Sequence, residues 1–248
     1  MRDSGVKEGW EARIFEEIAR DQAKIRVFGG RAIRHHVVGR VRPEFVRPPG
    51  DLDLFTVAAH RKAVSALLEH AGLRPDREFN LLNGKTRLIY YAGDEKVDVF
   101  IDEFTMCHRL DLRGRMHLET ITLPLADLIL TKLQIYELTA KDMADLYAIV
   151  LAAPLSEEDR SRAINIRHIA GRLAADWGLW RTCTGSLKRL RTEAQTVFDC
   201  DLRESRETVH AKLDAITEAI ERAPKSMAWK MRAVVGEKVK WYELPEEP

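Results

Sequence analysis

Residues 51–57, Asp-Leu-Asp-Leu-Phe-Thr-Val, set two carboxylates one residue apart at the head of an apolar run. This placement limits the fold more than any other feature of the chain. In a β-strand side chains alternate faces, so Asp51 and Asp53 project on one side while Leu52 and Leu54 bury on the other. Two carboxylates a strand-step apart repel strongly unless a divalent cation or a proton lies between them. A magnesium-type ion takes hard oxygen ligands, commonly one or two carboxylates, and completes its shell with water and substrate phosphates. The pair therefore reads as half of a nucleotide-metal site.

About twenty residues upstream, the apolar run Ile25 to Phe28 ends in Gly29-Gly30. A glycine pair after a strand is most often a turn. Followed by a helix, it exposes backbone N–H groups at a positive helix end, which suits a triphosphate. A third acid repeats the pattern in Lys96-Val97-Asp98-Val99-Phe100, one carboxylate within a β-branched, aromatic strand. Buried and unpaired, Asp98 would cost several kcal/mol. If its strand lies beside that of Asp51, the three acids converge on one edge of a sheet.

With these residues the chain resembles the polymerase-beta-type nucleotidyltransferase superfamily, whose pattern is a glycine pair, an Asp-x-Asp on the next strand and a third Asp on a later one. Within it the chain is similar to the AbiEii-like abortive-infection and uncharacterised bacterial nucleotidyltransferases, through Leu123-Pro124-Leu125 up to Lys132 and Lys141-Asp142-Met143-Ala144-Asp145-Leu146. The resemblance covers residues 24–150. The stretch between Gly30 and Asp51, with Pro43, Pro48 and Pro49, is longer than the usual family spacing and reads as an inserted loop.

The resemblance implies transfer of a nucleoside monophosphate from a nucleoside triphosphate such as ATP to an acceptor hydroxyl, with Mg²⁺ or Mn²⁺ as cofactor. Asp51, Asp53 and Asp98 would hold the metal ions, and Asp98 would serve as general base. Gly29, Gly30 and Arg31 would hold the β- and γ-phosphates, helped by Lys132. The Lys141, Asp142 and Asp145 segment would face the cleft and orient substrates. The acceptor stays open among RNA, including tRNA, a protein side chain and a small alcohol. Two alternatives stand beside this reading: a non-catalytic nucleotide- or partner-binding module of the same fold, and the toxin of a toxin-antitoxin pair acting on tRNA, with an antitoxin as partner.

Each residue also has a plainer role. Lys132 lies on the face of Leu125, Leu128, Ile129 and Leu133, where a lysine either snorkels or reaches inward to a charged partner. Asp142, three residues after Thr139, suits a helix start, and salt bridging among Lys141, Asp142 and Asp145 is the bland alternative. Residues 160–192 hold eight Lys or Arg against one acid, Asp176, with Trp177 and Trp180 between them. Such a run can grip phosphates and stack bases, but is more often a solvated helix face with core tryptophans. His35-His36 reads as incidental.

The 248 residues fit one large domain or two small ones. The net charge of +1 gives no global field favouring nucleic acid. Three cysteines, Cys107, Cys183 and Cys200, lack disulfide-framework or zinc spacing. Neither a signal peptide in the first eight residues nor a membrane span is read, so a cytoplasmic location is expected.

The expected fold class is α+β: a mixed sheet flanked by helices over 1–123, then a helical domain over 124–248, with the active cleft between them. The pattern predicts an entry helix at 10–23, strands at 25–28, 51–57 and 97–101, and a helix opening at Arg31. Val64, Leu67, Leu68 and Ala71 form a helical stripe ended by Gly72. Residues 78–92 read as a hairpin around Asn83-Gly84. Further on, helices start at Thr139 and at Ser156-Glu157-Glu158-Asp159, and a stripe of Val209, Leu213, Ile216 and Ile220 ends at Pro224.

Overall fold

A computed structural model describes residues 9–20, 24–48, 50–198 and 202–244. The N-terminal segment 1–8, the end of the expected entry helix at 21–23, Pro49 and Cys200 lie outside the described residues. The fold is α+β, with a mixed sheet and a helical C-terminal half. It divides into two compact units, the first comprising Met1–Ala32, Pro48–Phe104 and Leu110–Pro124, the second Ile33–Arg47, Thr105–Arg109 and Leu125–Pro248.

In the first unit, helix α1 (Gly9–Ala19) precedes strand β1 (Arg26–Phe28), which runs directly into helix α2 (Gly29–Val37), whose residues from Ile33 on belong to the second unit. Strand β2 (Leu52–Thr56), helix α3 (Arg61–His70), strand β3 (Arg74–Pro75), helix α4 (Arg77–Asn83) and strands β4 (Arg87–Ala92) and β5 (Glu95–Ile101) follow. Short strands β6 (Glu103–Thr105) and β7 (Arg109–Asp111) come next in the chain. The five-stranded sheet has the order β1-β2-β5-β4-β3, with β2 and β5 parallel and the other pairs antiparallel. Leu52, Leu54, Val97 and Val99 share one face and are fully buried. Tyr90, on that same face, lies beside Ser65 of α3, which places α3 there. The opposite face carries Asp53, Asp98 and Phe100.

Two sequence expectations change here. Strand β2 begins at Leu52, so Asp51 precedes it and is exposed. The expected hairpin at Asn83-Gly84 is instead the end of α4: Gly84 has φ −64, whereas a tight hairpin turn needs a positive value. The Asp76 side chain caps α4 by accepting from Phe79 N, and the Asn80 amide makes both of its hydrogen bonds to the backbone of Ile89, at 2.7 and 3.0 Å. These contacts fold the segment as a helix against β4. The hairpin forms later, between β4 and β5, where Gly93 has φ +64.

The second unit contains α5 (Leu125–Leu133), α6 (Ala140–Ala152), the paired short strands β8 (Leu155–Ser156) and β9 (Ile164–Asn165), and helices α7 (Ile166–Ala175), α8 (Trp177–Val197), α9 (Arg203–Arg222) and α10 (Met227–Val235). Val209, Leu213, Ile216 and Ile220 are buried along α9 as their spacing predicts. The helix expected at Ser156 is absent: the Ser156 hydroxyl accepts from Glu158 N in a tight turn, and Asn165 caps α7 instead by accepting from His168 N. Among the described residues no helix is long and apolar enough to cross a membrane.

His36, in the α2 segment of this unit, is buried. That burial, reinforced by the charges of His35, Arg162 and Arg40, lowers its imidazole to about 4. The folded state thus keeps His36 neutral while the unfolded chain takes up its proton near 6.5. Stability should fall as pH drops from about 6.5 to 4, by up to about 3 kcal/mol. Urea midpoints at pH 7 and pH 4 should show this loss in the natural chain, and a smaller one in His36→Gln.

Candidate functional site

The acid-bearing face of the sheet is organised by strand register. Asp53 and Asp98 are direct partners in the parallel β2–β5 pair, so their side chains leave the same face one strand apart. Asp53 is also opposite Phe28 of β1, the residue before Gly29. Gly29 has φ +67, and a β-carbon there would overlap Asp53 Oδ2 and lie 2.9 Å from its Cγ. The Asp53 carboxylate therefore lies against the first residue of α2, where the helix dipole favours negative charge.

Asp98 is buried, at 5% exposure, and both of its oxygens meet cations. Arg87 Nε donates to Oδ1 at 2.8 Å and Lys96 Nζ lies 3.1 Å from Oδ2. Phe28, Phe100 and Phe104 pack edge to face beside them, with ring centroids 5.1 to 5.2 Å apart. Sequence reasoning missed both cations. Lys96 was legible, two residues before Asp98 on the same strand; Arg87 becomes visible only once β4 is known to pair with β5.

The phosphate-holding residues expected at the glycine turn divide. Gly29 and Gly30 open α2. The Arg31 guanidinium is already engaged, donating to Gly50 O at 2.7 Å and pairing with Glu11 and Glu95 at 2.6 and 3.1 Å. Among the described residues, no group of three or more His, Cys, Asp or Glu side chains is arranged to hold a metal ion. What is preformed is the two-carboxylate pair, a hard-oxygen donor set of the size a magnesium-type ion accepts from protein. A groove of about 650 Å³ between α1 and α3, lined by residues including Arg13, Ala63, Leu67 and His70, contains none of these acids.

The remaining expected site residues belong to the second unit. Thr139 and Asp142 form a full capping box at the start of α6. Lys132 Nζ reaches Asp142 Oδ1 at 2.8 Å and Asp145 Oδ2 at 3.3 Å, the inward option for a lysine on an apolar stripe. Asp145 also accepts both prongs of Arg47, at 2.8 and 2.9 Å, from the loop that reads as an insertion. Lys141 is exposed. Burial pushes the Asp142 carboxyl upward, but the charge and hydrogen bond of Lys132 and the bonds from Thr139 outweigh it and hold it below its ordinary value of 3.8.

In the basic run, Arg160, Arg167, Arg181, Arg189 and Arg191 each pair with an acid. Trp177 is buried, and it and Trp180 belong to an aromatic cluster with Trp229 and Trp241. This arrangement matches the solvated face with core tryptophans.

Gly29→Ala should strain the left-handed backbone and displace the Asp53 carboxylate, costing about 1–3 kcal/mol in a urea titration. Lys132→Met keeps the apolar stem and should cost about 1.5–3 kcal/mol, the value of a hydrogen bond to a charged group. Because the folded Asp142 carboxyl is depressed, its stabilisation is present above about 3.8 and lost as pH falls through the folded value. The gap between natural chain and Lys132→Met should therefore be full at pH 7 and shrink below pH 4. A gap that stayed constant would mean that Lys132 acts through packing alone.

No family model matches the chain, and no curated protein matches it. Among solved structures, the crystal structure of JHP933 from Helicobacter pylori is similar at 12% identity, over 94% of this chain and 99% of that one, with a TM-score of 0.44. A likeness that loose carries no argument about chemistry.

Proposed function

We propose that the chain is a metal-dependent nucleotidyltransferase acting at the Asp53–Asp98 pair. The observation that carries this reading is the side-by-side register of two carboxylates on one sheet face, one of them seated against the glycine that opens α2. The reaction is in-line attack of an acceptor hydroxyl on the α-phosphorus of a nucleoside triphosphate. An oxygen–phosphorus bond forms as the bond to the β-phosphate breaks, and pyrophosphate leaves.

Asp53 and Asp98, with Asp51 at the strand entrance, would hold Mg²⁺ or Mn²⁺. The ion would supply neutralisation of the triphosphate and a more acidic acceptor hydroxyl. The backbone N–H groups after Gly29 and Gly30 bind the phosphates, as a helix N-terminus does. Asp98 takes the proton of the acceptor hydroxyl on a carboxylate oxygen. The engagement of Arg31 with Glu11 and Glu95 favours a positioning role for that residue, fixing the start of α2 against the hairpin that carries Glu95.

A second reading, a binding module without catalysis, is favoured by one observation: both carboxylate oxygens of Asp98 are paired with cations of the protein itself, Arg87 and Lys96. Two measurements separate the readings. Magnesium with a nucleoside triphosphate at 100 times its dissociation constant should stabilise the natural chain by about 2.7 kcal/mol. The double change Asp53→Asn, Asp98→Asn should abolish that gain. Incubation with each labelled nucleoside triphosphate, magnesium and cell extract should then place the label on the acceptor. Binding without any labelled product would leave the module reading in its place.

A further inference from the structure

We propose that Arg87 is an exchangeable counter-ion of this site: it holds Asp98 while no nucleotide is bound and passes to the triphosphate when a nucleotide-metal complex arrives. The proposal rests on the functional reading above and assigns Arg87 to the nucleotide. With Arg87 on one oxygen of Asp98 and Lys96 on the other, a divalent ion meets two positive charges where it needs a donor. One of them has to leave, and the geometry singles out Arg87.

The Arg87 guanidinium makes one hydrogen bond, from Nε to Asp98, and its two terminal amino groups have no hydrogen-bond partner among the described residues. Other arginines on or beside this face each donate to several partners. Arg26 donates to the carbonyls of Ile25, Met116 and Glu119, and Arg31 to a carbonyl and two carboxylates. Arg87 is also partly exposed, at 29% of its side chain, although its partner is buried. A guanidinium with open amino groups is the side chain whose planar fork matches phosphate oxygens.

A perch exists for the exchange. The guanidinium carbon lies 4.9 Å from the Phe100 ring centre and 5.6 Å from that of Phe79. Phe100 is held edge to face by Phe28 and Phe104, so this surface stays in place when the hydrogen bond to Asp98 breaks. The attraction between cation and ring depends on position over the ring and not on which oxygen the N–H groups face. Arg87 can therefore turn from carboxylate to phosphate without leaving the rings.

The test compares Mn²⁺ binding without nucleotide, read from the paramagnetic signal of the free ion, with binding of ATP in the presence of Mg²⁺, read by calorimetry. Arg87→Met should bind Mn²⁺ alone about tenfold or more tighter, because a like charge has gone from beside the ion. It should bind Mg²⁺-ATP about tenfold or more weaker, because a charge-assisted phosphate contact has gone. A purely structural arginine would move both affinities in one direction or neither, and either result overturns the proposal. If Arg87→Met loses its cooperative melt, Arg87→Gln carries the same two expectations. Asp98→Asn separates this idea from the reading beneath it. If the natural chain binds Mn²⁺ and Asp98→Asn does not, unchanged affinities in the Arg87 variants sink the counter-ion role alone. If the natural chain binds neither Mn²⁺ nor Mg²⁺-ATP, both fall together.

Discussion

The parallel pairing of β2 with β5 sets two carboxylates side by side, and the rest of the first unit answers to that constraint. Adjacent strands lie about 4.8 Å apart, and two like charges at that distance repel by roughly 3 kcal/mol at an effective dielectric of 20. A slip of one residue would separate the acids, but it would also turn Leu52, Leu54, Val97 and Val99 out of the core. Each of those side chains is worth about 1.5–3 kcal/mol buried. The apolar face therefore wins, and the repulsion has to be offset on the acid face itself. Arg87 and Lys96 on Asp98, and the start of α2 beside Asp53, are the offset.

What was legible follows from this balance. Strands β2 and β5 could be read because alternation encodes both the buried and the acid face within a few residues. The partners of Asp98 could not be read as a set, since Arg87 reaches it across a strand pairing that no local pattern announces. Asn83-Gly84 misled for a related reason: a dipeptide is a turn only if the flanking chain leaves it free to adopt positive φ, and the Asp76 and Asn80 side chains had already fixed a helix there. The Ser156 start failed in the same way, its hydroxyl bound within a turn and not at a helix end.

In the second unit the local signal at Thr139 held where that at Ser156 did not, and the long-range contacts left no local trace. Thr139 and Asp142 form the capping box their spacing predicts. Asp142 does more, because the carboxylate that caps α6 also receives Lys132 from α5, which joins the two helices through one acid. Asp145 receives Arg47 from a stretch 98 residues earlier in the chain, a distance at which sequence spacing says nothing. The insertion-like loop thereby contributes a contact to a buried carboxylate. The basic run at 160–192 follows the solvated-face reading, and folding adds to it acids from elsewhere in the chain, such as Glu237 and Asp214.

The glycine pair and the aspartate strand, which look like separate motifs in the sequence, become one device in the fold. A glycine at a helix start is usually explained by what it lets a ligand approach. At Gly29 the first group admitted is a side chain of the protein: the left-handed backbone requires a residue without strain at φ +67, and the missing β-carbon leaves room for the Asp53 carboxylate. Any phosphate bound by the N–H groups of α2 would thus lie next to an acid, which is unfavourable unless a cation separates them. On the proposed reading, this pairing of helix start with carboxylate would make nucleotide and divalent ion bind more tightly together than either alone.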